Sequence, residues 1–155
     1  MDLNNLIKDI NKIDIEDICS AWQWILKGQK SVVLVSAIGD IFFMHHDGSI
    51  YWLQTDGGTL SKVADNFTQF EFFLNEEEKI DNWFLPLLVE ELINAGKILK
   101  DTEVYSLKVM TILGGDFSVE NINPVDMSVH FAFTGQINEQ IKNLPDGTEV
   151  NIGYT

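Results

Sequence analysis

The chain has 155 residues, of which 45% are apolar and 11% aromatic; that is enough for one domain with a sizeable core and excludes a disordered chain. Twenty-four acidic residues stand against ten basic ones, every one of them lysine, for a net charge of −14. A field of that sign without a single arginine disfavours nucleic acid and anionic membrane surfaces, and it attracts a protein with a basic surface.

The single cysteine, Cys19, cannot form an internal disulfide, which fits a reducing compartment. The start, Met1-Asp2-Leu3-Asn4-Asn5, lacks the basic and apolar regions of a secretory signal, and no run approaches the ~20 apolar residues of a membrane span. The cytoplasm is the expected compartment.

In chain order, Asp14 caps a first helix whose Ile15, Ile18, Cys19, Trp22, Ile25 and Leu26 recur at three- and four-residue steps, with Gly28 as its stop. Trp24 lies off that stripe and is expected in the core from a second side. Strand-like runs follow at Ser31–Ile38, Ile41–His45, Ser49–Gln54 and about Thr59–Val63, separated by Gly39-Asp40, Asp47-Gly48 and Asp56-Gly57-Gly58. Residues 31–64 thus read as an antiparallel meander.

Asn66 caps a helix carrying Phe67, Phe70 and Phe73 or Leu74, and the acidic Glu76-Glu77-Glu78 run suits the first turn of the next one. Pro86 should break or kink the helical run, which resumes over Leu87–Asn94 until Gly96. Tyr105–Leu113 reads as a strand, Gly114-Gly115-Asp116 as a loop, and Asn121–Asp126 as irregular because of Asn123-Pro124. Asp126 or Ser128 caps a last helix with Phe131, Ile137, Ile141 and Leu144 on its face. Leu144-Pro145-Asp146-Gly147 turns the chain towards a closing strand over Val150–Tyr154. The fold class is α+β, a mostly antiparallel sheet built from the meander and later strands with helices packed against it, and residues 1–155 form one domain.

No motif of catalysis or metal binding stands out. His45 and His46 are adjacent on a strand and should point to opposite faces, and His130 is expected to be a core or boundary histidine. Cys19 on an apolar face is a structural thiol. Neither Gly57-Gly58 nor Gly114-Gly115 precedes the Lys-Ser/Thr of a phosphate loop, so each is expected to serve a turn with positive φ. No catalytic, cofactor or metal residue is assigned. The residues expected to meet a protein partner are Glu76, Glu77, Glu78 and Asp81, with Glu90 and Glu91 as a second cluster and Asp116 as a third position. Consecutive helical carboxylates diverge by ~100° each, so the run does not converge on one ion.

Several segments carry a family likeness: Trp22-Gln23-Trp24, Gly39-Asp40-Ile41-Phe42, Asp47 through Leu53, and Gly58-Thr59-Leu60 in the first half. Stronger ones follow at Leu113-Gly114-Gly115-Asp116, Val129-His130-Phe131, Gly135-Gln136-Ile137, Gln140-Ile141-Lys142 and Leu144-Pro145-Asp146-Gly147-Thr148. This pattern, strongest over residues 101–155, resembles the C-terminal domain family of type VI secretion immunity proteins, typified by the protector against an antibacterial DNase effector. Larger members carry a GAD-like domain ahead of it. Asn138 departs from the pattern, which often has His there. The resemblance implies a non-enzymatic protein that binds and neutralises a cognate toxin, without a cofactor. A protein-interaction module with a different partner is the alternative, and a hydrolase with spatially paired carboxylates the third reading.

Overall fold

A two-residue alternation organises this molecule. In the computed structural model, which describes residues 3–149, the strands β1 (Gln29–Val35), β2 (Ile41–His45), β3 (Ile50–Gln54) and β4 (Thr59–Ala64) pair as an antiparallel meander in sequence order. Phe42 lies opposite Leu34 and Trp52, while its neighbour Ile41 lies opposite Val35 and Leu53. Successive side chains point to opposite faces, so the first set enters one core and the second set enters another behind the sheet. A bulge in β1 between Val32 and Leu34 puts Val33 and Leu34 on one side, with Val32 and Val35 on the other.

Helices cover both faces. On the Phe42 side lie α2 (Phe67–Phe73), α3 (Glu77–Phe84) and α4 (Pro86–Asn94), which contribute Phe70, Trp83, Phe84, Val89 and Leu92. The Phe42 ring sits 5.2 Å from Phe70, 5.3 Å from Trp83 and 5.8 Å from both Trp52 and Phe84. Truncating it would empty the centre of this layer, a loss of about 3–5 kcal/mol. On the Ile41 side lie α1 (Ile15–Cys19) and α5 (Met127–Ile141), with Ile18, Trp22, Met127 and Phe131. The α+β reading holds.

The capping residues act as their types require. Asp14, Asn66 and Asp126 accept bonds from the backbone N–H of Asp17, Gln69 and Ser128 at 3.1, 2.8 and 2.9 Å. Pro86 begins α4 instead of kinking a longer helix, because the residue before proline is driven out of the α region; Leu85 takes up φ 49° between α3 and α4.

Other expectations are corrected. The first helix ends at Cys19 and continues only as a 3-10 turn over Ser20–Trp22. There α5 crosses so closely that a Cβ on Gly135 would lie 2.6 Å from the Ala21 carbonyl oxygen. Trp24 packs against the core behind the sheet as expected but stays half-buried, stacked on Trp22 at 5.6 Å with the Lys142 ammonium 4.9 Å from its ring. His46 falls in the turn after β2, so its ring meets His45 edge-on at 5.7 Å instead of facing away. Leu144 lies beyond the end of α5 and is exposed. The expected strand over 150–154 lies outside the described residues.

The later strands form their own ladder, β5 (Glu103–Leu107) with β6 (Ile122–Asp126), and do not join the meander. Residues 122–126 are therefore a regular strand, despite Asn123-Pro124, and only Asn121 falls outside it, in a 3-10 turn. Pro124 lies opposite Tyr105, whose N–H turns away to the Ala37 carbonyl at 2.7 Å. This is a position between ladder bonds, where the missing proline N–H costs nothing. Val104 enters the core behind the sheet and Tyr105 the one in front, which locks the small ladder to both layers.

Candidate functional site

The chemistry-bearing residues of this chain converge in one buried place and on two parts of the surface. The buried place is built by α5. His130, Thr134 and Asn138 recur every fourth residue, which puts them in one polar stripe facing the turns after β1 and β3. Nε2 of His130 lies 2.9 Å from the Gly39 carbonyl oxygen and 3.1 Å from Thr55 Oγ1, and Nδ1 lies 2.7 Å from Ser106 Oγ on β5. Asn138 donates to the Thr55 and Thr134 carbonyls at 2.8 and 2.9 Å. The glycines beneath are required by this approach. At Gly39 a Cβ would collide with the imidazole, and at Gly58 one would lie 2.5 Å from Asn138 Oδ1; both residues also have positive φ.

The proton positions follow from the partners. Nε2–H donates to the Gly39 carbonyl, which can only accept; with burial keeping the ring neutral, Nδ1 is left to accept from the Ser106 hydroxyl. Burial pushes its pKa down to about 4, against a smaller upward pull from the Gly39 bond. Asp40, also buried, goes the other way. Loss of solvent raises its pKa to about 7, although Thr55 and Trp52 donate to its carboxylate from Thr55 N at 3.0 Å, Thr55 Oγ1 at 3.2 Å and Trp52 Nε1 at 3.3 Å.

A serine hydroxyl 2.7 Å from an imidazole is the pairing a nucleophile and its base make. Here the imidazole is only 4% exposed, its second nitrogen is spent on Gly39, and the carboxylate of Asp40 bonds Thr55 and Trp52 instead of the ring. The cluster is a strut tying α5 to β5 and to two turns of the meander. Cys19 is also buried, and burial pushes its thiol up to about 11, away from nucleophilic thiolate. Among the described residues, no group of three or more His, Cys, Asp or Glu side chains is placed to hold a metal ion.

On the surface, Glu77, Glu78 and Asp81 come together on α3, where they line an open hollow with Lys79, Asn82 and Leu85. Glu76 sits at the N-cap position and is half-buried, and its side chain makes no capping bond. Lys79 lies over the Phe73 ring at 4.9 Å. Glu90 and Glu91 are exposed on α4 and stand outside that hollow.

Asp116 belongs to a third place, the loop of residues 108–121 between β5 and β6. Its carboxylate accepts from Ser118 Oγ at 2.6 Å and its carbonyl from Asn121 Nδ2 at 2.7 Å, so it shapes the loop as well as charging it. Asn121 also bonds both backbone groups of Val109, at 3.1 and 2.9 Å, which is why β5 stops short of the expected Leu113. Gly114 has the expected positive φ; Gly115 does not, and is needed because a Cβ there would strike the Val109 carbonyl.

Sequence reasoning missed Asp40, Thr55 and Ser106 as members of the buried cluster. The available signal was the four-residue recurrence of His130, Thr134 and Asn138 within an otherwise apolar helix. It also missed the clamping role of Asn121, for which no pattern in the chain gives a sign.

Residues 64–138 match the family described as T6SS immunity protein Tdi1, C-terminal, the family that the sequence motifs point to. The matched span runs from the end of β4 through most of α5 and contains all seven of the surface carboxylates considered above. Among solved structures, the crystal structure of Atu4351 from Agrobacterium tumefaciens shares the fold with a TM-score of 0.53 at 19% identity, covering 80% of this chain and 65% of that one. This chain thus spans 65% of the length of that protein. No curated protein matches the chain. No helix among the described residues is long and apolar enough to cross a membrane.

Proposed function

We propose that this protein is an immunity protein that binds a cognate type VI secretion effector, a nuclease being the favoured class, and neutralises it by occupying its basic active-site surface. The observation that carries the reading is the family match over residues 64–138. That span holds thirteen carboxylates against four lysines, so the acidity of the chain is concentrated where the family likeness lies. A nuclease presents cations where it holds phosphates, and an acidic protein competes for them as a polyanion would. Glu77, Glu78 and Asp81 on α3 present three carboxylates around one hollow and are the first candidates for that contact. Glu90, Glu91 and Asp116 extend the acidic surface. An inhibitor of this kind acts by contact alone and needs no cofactor, and it works in the cytoplasm, where a nuclease meets its substrate.

Co-expression of the tagged protein with the product of the adjacent gene tests the proposal. Recovery of a complex together with survival of the cells is the expected result. Charge reversal at Glu77, Glu78 and Asp81 should slow association by about tenfold and flatten its salt dependence. Unchanged binding by that triple variant would remove the α3 cluster from the interface.

A further inference from the structure

The loop of residues 108–121 exposes three large apolar side chains, Val109 at 39%, Ile112 at 52% and Phe117 at 45%. A single exposed apolar residue means little; here three fall within fourteen residues of one loop, while its Met110 is buried as the loop's own core contact. The loop is also held from several directions. Its neck is closed by the Lys108 N–H on the Asn121 carbonyl at 2.7 Å, and Asn121 grips Val109 and Asp116 from inside. Its first turn is tied to the β3–β4 turn, where the Asp56 carboxylate accepts from Thr111 N at 2.9 Å and from Thr111 Oγ1. Its base is held by the Lys97 ammonium, 2.6 Å from the Val119 and Ile122 carbonyls. The loop is a closed Ω-shaped unit that has already lost the conformational entropy a flexible segment would lose on binding.

We infer that the 108–121 loop is the apolar anchor of the effector interface, seating Ile112 and Phe117 in an apolar recess rimmed by cations on the partner. The inference rests on the immunity reading and names where the affinity resides. Charge on and beside the loop selects the occupant, since Asp56, Asp116 and Glu120 outnumber Lys108 and the Lys97 at its base, whose ammonium is spent on the Val119 and Ile122 carbonyls. A cationic protein rim complements these carboxylates, and an apolar centre within a polar rim is the arrangement in which a few residues dominate binding. A second copy of this chain fits worse, because a twofold contact would bring the same carboxylates against each other. The acidic surface of α3 then steers the encounter while the loop determines how long the complex lasts.

The test compares wild type, Ile112→Ser/Phe117→Ser and Asn121→Ala for binding to the purified product of the adjacent gene, with urea midpoints and solution mass measured on each. The double variant should keep its folded stability and lose affinity about hundredfold, mostly through faster dissociation. Asn121→Ala keeps the apolar side chains but frees the loop, and should lose affinity about tenfold. Equal affinity of wild type and double variant would overturn the inference and leave the immunity reading standing. A double variant that binds the effector normally but changes the solution mass would also overturn it, making a second copy the occupant. If wild type itself neither binds nor protects, the immunity reading fails and the inference falls with it.

Discussion

Two polar side chains, His130 and Asn121, do the same mechanical work in opposite settings. Each bonds three groups, His130 of α5 on three separate stretches of chain and Asn121 on two residues of its own β5–β6 loop. Around His130 everything is turned inwards: two glycines make room, a carboxylate is buried, and no face is left for a partner. Around Asn121, Val109, Ile112 and Phe117 are turned outwards, while Met110 is buried beneath them. The contrast separates two uses of a hydrogen-bonded hub, one that stabilises the fold and one that holds a surface ready for contact. It predicts that substitutions at the two hubs affect different measurements.

The largest effect belongs to the buried hub. His130→Ala leaves Ser106 Oγ short of a partner, opens a cavity, and removes a bond to the Gly39 carbonyl, so a loss of about 3 kcal/mol is expected in urea denaturation. Effector affinity of the folded fraction should stay within about twofold, because nothing at the surface moves. A His130→Ala protein that is fully stable but cannot bind would break the comparison.

Next in size is a hidden pH dependence. His130, with its pKa lowered to about 4, holds fewer protons in the folded state than in the unfolded one between about pH 4 and 6.5, so its contribution to stability falls as pH drops through that window. Asp40, raised to about 7 from 3.8, holds more protons in the folded state over nearly the same window, so its contribution rises as pH drops. The two slopes offset each other. Asp40→Asn should expose the histidine, and its stability relative to wild type should fall by on the order of 3 kcal/mol between pH 6.5 and 4. Parallel wild-type and variant curves from denaturation across that range would contradict the raised pKa of Asp40, and a variant whose own stability did not fall as pH drops would contradict the buried, neutral state assigned to His130.

At the exposed hub, Asn121→Ala should lower the urea midpoint by the equivalent of only about 1 kcal/mol, as its bonds lie near solvent. The smallest effect concerns the second acidic cluster. Glu90→Gln with Glu91→Gln should leave stability within about 0.5 kcal/mol, since both side chains are exposed. Its signature would be a modest drop in association rate that disappears at high salt.

How much of this was legible depended on whether the determinant was local. The meander was readable because β-branched and aromatic runs alternate between turn pairs, and Asp47-Gly48 forms its expected turn with the Asp47 carboxylate on Ser49 N at 2.9 Å. The caps at Asp14, Asn66 and Asp126 are likewise local chemistry. Two errors came from contacts remote in sequence. The first helix is shortened where Gly135 presses on Ala21, and β6 is regular because Tyr105 turns its N–H to Ala37 opposite Pro124. The acidic residues of α3 were legible as charge, and Asp116 as a loop residue. Phe117 and Ile112 were not, because exposure is decided by the whole fold and an apolar residue in a loop usually turns inwards.

The most direct test of the central claim is the binding of the wild-type protein to the product of the adjacent gene, followed by biosensor kinetics at low and high salt, with cell survival on co-expression as the functional readout. The account predicts a tight complex, protected cells, association slowed strongly by salt and dissociation changed little by it. No complex at low salt, and no protection, would contradict it.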